Sequence, residues 1–157
     1  MLNDIIHSSI GGFHTLMAVL AMIAGIVVVF NKKGTVFHKR IGYFYVINML
    51  LLNLSSFFII NFGGFSIFHF FALLSLATII GGIVPAIRRT KNWYGYHFYF
   101  MSWSVVGLYC AFWSEVGTRF VKNMKEFWWA VALASITTAL IGNYYINREA
   151  KKLNLKK

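Results

Sequence analysis

Five stretches of mostly apolar residues alternate with short polar links along this chain. They run over about 10–30, 40–60, 65–87, 94–113 and 126–146. At ~1.5 Å of rise per helical residue, about twenty residues cross a hydrocarbon core of ~30 Å. The pattern therefore predicts an all-α integral membrane bundle of five transmembrane helices. A membrane barrel would need short strands of alternating polarity, which the chain lacks. The links are brief: Lys32-Lys33-Gly34-Thr35 after the first run, Asn61-Phe62-Gly63-Gly64 after the second, Arg88-Arg89-Thr90-Lys91 after the third, and 114–125 after the fourth. Residues 1–147 read as one transmembrane domain and 148–157 as a basic cytoplasmic tail.

Composition agrees with the pattern. Of 157 residues, 59% are hydrophobic and 12% charged, and the mean hydropathy is +0.66. Soluble domains carry about 25% charge, so half of the usual solvent-facing charge is missing. The N-terminus has no positive n-region and no small-residue cleavage site, so the first run is expected to remain as a helix. The net charge of +11 does not point to nucleic acid. The cations cluster at the ends of apolar runs, where they anchor helices and meet anionic inner-leaflet lipids. Cys110 falls inside an apolar run and reads as a small core residue.

Charge also sets direction. The loop at 31–40 holds four Lys/Arg, the link at 88–91 three, and the tail five. In a five-span chain these twelve share one side, against Arg119, Lys122 and Lys125 on the other. Such a bias places the N-terminus outside and the C-terminus in the cytoplasm. The predicted location is the cell membrane, crossed several times. Small residues recur at helical spacing in the first run (Gly11, His14, Ala18, Ala21, Gly25), and Ala77 pairs with Gly81 in the third. Both patterns let helices approach closely.

Ionisable residues inside a membrane are costly and mark functional sites. His14 and His69 fall near the outer ends of runs one and three, and His38 and His97 at the inner ends of runs two and four. In an up-down bundle these are diagonal partners, so each pair is expected to meet near its own membrane face. His14 stands ~25 Å from the inner loop, which excludes one metal centre held by all four. Two imidazoles are incomplete zinc coordination but complete axial ligation for haem iron. The leading expectation is a b-type haem electron-transfer protein, passing electrons to a redox partner or quinone. The alternative is an outer zinc or other transition-metal site of His7, His14, His69 and Glu115. Glu115 lies 18 residues after His97, five whole turns on, with Arg119 at i+4 for an ion pair. A third reading is an accessory or structural subunit whose histidines are interfacial. No hydrolase motif, nucleophile constellation or phosphate loop appears, so no reaction class follows.

Four motifs carry a resemblance. They are Lys33-Gly34-Thr35-x-x-His38-Lys39-Arg40-x-Gly42-x-x-Tyr45, Phe68-His69-x-x-Ala72-Leu73-x-Ser75-Leu76-x-Thr78, His97-x-x-x-Met101 and Glu115-x-x-x-Arg119. Over about residues 10–120 the chain resembles the bacterial membrane-protein family catalogued as domain of unknown function 2306. That resemblance implies a membrane protein and supplies no activity. The staggered histidine pairs are similar in architecture alone to di-haem cytochromes of the b561 kind.

Overall fold

The computed structural model describes residues 9–59, 64–118, 120–121 and 123–155. They form five helices and no strand: α1 (Ser9–Phe30), α2 (Val36–Ser56), α3 (Ile67–Arg88), α4 (Trp93–Thr118) and α5 (Met124–Lys152). Three of these, α1, α3 and α5, are long and apolar enough to cross a membrane. The other two are as long but more polar. α2 opens on His38-Lys39-Arg40 and carries Asn48 and Asn53, and α4 is rich in Tyr, Trp and Ser.

Helix boundaries depart from the apolar runs where local hydrogen bonding extends or stops the helix. α2 begins at Val36 instead of about 40, because Thr35 caps it. The Thr35 side chain accepts the His38 N–H at 3.0 Å, satisfying a donor that has no partner within the helix. The same helix ends at Ser56, short of the expected 60. α4 runs on to Thr118, into the stretch read as a polar link. α5 opens on an Asn123 cap, whose side chain accepts the Glu126 N–H at 2.9 Å. It then continues through Arg148 to Lys152, so the first half of the basic tail is helical.

The chain divides into two compact units, Met1–Ile80 and Gly81–Lys157, and the division falls within α3. In the first unit α1 and α2 form an antiparallel hairpin. Gly42 faces Val28 at the loop end, and Ser55 faces His14 at the other. The α1 face turned inward holds Met17, Ala21, Ala24 and Gly25, all buried. Gly11, His14 and Ala18 of the predicted small-residue stripe are half-buried beside them. Opposite lie Tyr45, Val46, Met49 and Leu52 of α2. Lys33 closes the hairpin by donating to the Val28 and Val29 carbonyls, and Asn31 donates to Val27 O at 2.9 Å. These bonds serve the carbonyls that a helix end leaves unpaired.

In the second unit the end of α3 runs antiparallel to α4. Gly81 approaches the Phe100 ring and Gly82 approaches Met101. A Cβ on Gly82 would come within 2.7 Å of the Met101 side chain, so a larger residue there would require that side chain to shift. Ala77, the other half of the predicted small pair, is exposed. α4 and α5 are also antiparallel. Gly142 packs on Val106, the Ser114 and Ser135 hydroxyls lie 3.2 Å apart, and Cys110 Sγ reaches Ser135 O at 3.5 Å. Cys110 is a free thiol.

Polarity is distributed inside out relative to a soluble protein. Asn48, Asn53, Ser55, His69, Ser104 and Ser114 are buried. The large apolar side chains point outward at helical spacing: Phe13, Leu16, Ile23 and Ile26 on α1, and Leu133, Ile136 and Leu140 on α5. Water would penalise so much exposed apolar surface. Lipid chains do not, and they leave small and polar residues to hold helices together.

Candidate functional site: histidines and intramembrane polar contacts

The first unit holds a knot of polar side chains linking three helices. Asn53 on α2 donates to Ser75 Oγ on α3 at 3.1 Å and to Met49 O at 2.7 Å. Two residues on, Ser55 Oγ lies 3.0 Å from His14 Nδ1 on α1 and 2.8 Å from Leu52 O. Ser56 donates to Asn53 O at 2.6 Å, and Thr78 donates to Ser75 O at 2.7 Å. Of these residues only His14 was a candidate site residue in the sequence, while Ser75 and Thr78 appeared there as motif positions. Asn48 and Asn53 gave the missed signal: amides in mid-run are expensive in lipid unless they bond across helices.

Proton accounting fixes the histidine tautomers. A carbonyl oxygen only accepts, so the single Ser55 proton goes to Leu52 O. With that hydroxyl proton directed at Leu52 O, His14 Nδ1 donates to Ser55 Oγ. His97 behaves alike. Its Nδ1 lies 3.0 Å from Gly82 O, so Nδ1–H donates to that backbone carbonyl.

His69 has the opposite polarity. Its Nδ1 accepts the Ser66 backbone N–H at 3.0 Å, and the Ser66 hydroxyl stands 2.9 Å away. Neutral His69 therefore carries its proton on Nε2. Ser66 immediately precedes α3 and His69 is its third residue, so the pair forms a capping box with histidine in the usual Glu/Gln position. The ring is 5% exposed, stacked on Phe65 at 5.1 Å and tilted against Phe57 at 5.9 Å.

His38 holds the same position in α2. Thr35-Val36-Phe37-His38 and Ser66-Ile67-Phe68-His69 are two copies of one pattern, a hydroxyl cap followed three residues later by histidine. At Thr35 the cap half of the box is seen, the hydroxyl accepting the N–H of the third residue. At His69 the return half is seen, the imidazole accepting the N–H of the cap residue. His38 is half-buried with Nδ1 shielded from solvent.

His14 bonds Ser55 of α2 through Nδ1, whereas His69 bonds Ser66 at the start of its own helix. Glu115 is exposed on α4. His7 and Arg119 lie outside the described residues. Among the described residues no group of three or more His, Cys, Asp or Glu is placed to hold a metal ion.

A family model described as "Predicted membrane protein (DUF2306)" matches residues 12–148. No curated protein matches the chain. No solved structure matches it.

Proposed function

We propose that this chain, which belongs to the DUF2306 family of predicted membrane proteins, is a five-span protein of the cell membrane acting as an accessory or structural subunit. In this reading the N-terminus is outside, the C-terminus is cytoplasmic, and the half-buried His14 and His97 fasten helices. The observation that carries it is the use made of Nδ1. His14 spends it on Ser55 of the neighbouring helix, His69 on the cap of its own helix, and His97 on a carbonyl of α3. Side chains committed in this way give a bundle a single register.

A second reading is favoured by one feature. His14 and His97 each donate Nδ1–H to an oxygen, the arrangement that orients metal-ligating histidines and raises the basicity of Nε2. If b-type haem is bound, His14 and His97, which fall near opposite membrane faces, would each be a ligand of a separate haem. The visible spectrum of detergent-purified protein, from cells well supplied with haem, separates the readings. The structural reading expects no haem bands before or after dithionite. Sharp bands of six-coordinate iron, weakened on His14→Ala and retained on His69→Gln, would replace it with the redox reading.

A further inference from the structure

We propose that one end of the second unit is a binding surface for the headgroup of an anionic phospholipid. The helix register places the cations there. His97 bonds Gly82 across the α3–α4 pair, so Arg88, six residues further along α3, lies about 9 Å beyond that level. Its partner level on α4 is the helix start at Trp93 and Tyr94. Gly142 meets Val106 across the α4–α5 pair. Nine residues onward along α5 is Lys151, and nine back along α4 is His97, so Lys151 stands level with His97. The end of α3, the start of α4 and the last turns of α5 thus meet at one end.

Six cations gather there: Arg88, Arg89, Lys91, Arg148, Lys151 and Lys152, all exposed. The one acid among them, Glu149, is 2.6 Å from Lys152. The surface therefore keeps a strong positive excess. Arg89 takes φ 51 as the chain leaves α3 and lays its guanidinium over the Trp93 ring, 4.2 Å from the centroid. A cation held on an indole at a helix end suits the headgroup level of a bilayer.

The apolar surface beside the cations selects a lipid over a free anion. Leu133, Ile136, Leu140 and Tyr144 run along α5 at spacings of three and four, each more than half exposed, and lead to the basic end. Acyl chains lying on that stripe bring a phosphate to the cations, which inorganic phosphate cannot exploit. The inference rests on the membrane placement, and on neither the number of spans nor the role of the histidines.

The test is native mass spectrometry of delipidated full-length protein equilibrated with equimolar phosphatidylglycerol and phosphatidylcholine vesicles. Wild type should retain phosphatidylglycerol in preference. The variant Arg88→Gln/Arg148→Gln/Lys151→Gln should lose at least about tenfold of that preference, since each basic residue near an anionic surface contributes severalfold. The matched variant Lys32→Gln/Lys39→Gln/Arg40→Gln, altered in the first unit, should keep it. Equal loss in both variants, no preference in wild type, or displacement of the lipid by millimolar inorganic phosphate would each overturn the proposal. The haem spectrum bears on none of these outcomes.

Discussion

His69 Nδ1 accepts the backbone N–H of Ser66 at 3.0 Å, and that single bond determines which nitrogen of the ring carries its proton. It makes His69 part of the start of α3. An acceptor at this position serves one of the four N–H groups that every helix leaves unpaired.

The capping role yields a pair of substitutions. His69→Gln supplies another acceptor at the third helical position and should leave thermal stability in detergent near wild type. His69→Ala removes the acceptor and should cost about 1 kcal/mol, as other cap losses do. Parallel melting curves check this. Equal loss in both variants would show that aromatic packing against Phe57 and Phe65 dominates.

The contact between His14 and Ser55 can be weighed by a double-mutant cycle. Single changes His14→Ala and Ser55→Ala should each destabilise the α1–α2 pair. Their coupling energy should be about 0.5–2 kcal/mol, the range of interhelical hydrogen bonds in membranes. Purely additive effects would mean that the bond contributes nothing measurable.

Two glycines on facing helices should respond oppositely to alanine. A Cβ at Gly142 would run into the Val106 side chain, whereas one at Gly107 meets nothing within 4 Å. Val106 is β-branched and held in one rotamer on its helix, so it yields little. Gly142→Ala should therefore cost about 1–3 kcal/mol. Gly107→Ala should be neutral or gain roughly 0.5 kcal/mol from the better helix former. Unfolding in mixed micelles resolves the difference.

The five-span topology predicts that reporter fusions at Gly34 and at the C-terminus both read as cytoplasmic. A fusion in the link between α4 and α5 should read as external. A cytoplasmic signal from that link would leave α4 or α5 outside the membrane-crossing set.

The sequence by itself determined the class of the molecule and the place of its helices. Lipid is a uniform apolar solvent, so twenty apolar residues in a row suffice to specify a membrane helix whatever its neighbours are. All five runs became helices, and the family match covers residues 12–148. Both half-formed capping boxes were also legible, since Thr35-x-x-His38 and Ser66-x-x-His69 are local patterns four residues long. They went unread because histidine is not the residue expected at the return position.

Only the tertiary structure decided which atoms the histidines bond. A tautomer depends on the atom facing Nδ1. That atom is Ser55 Oγ for His14, forty-one residues away, and Gly82 O for His97, fifteen residues away. Spacing along one helix gives the face on which a residue lies, but the partner is set by the register between helices. That register follows from close packing at Gly42 on Val28, Gly82 on Met101 and Gly142 on Val106. Steric fit between separate segments has no signature in either one alone, and so the hydrogen bonds that depend on it appear only in the fold.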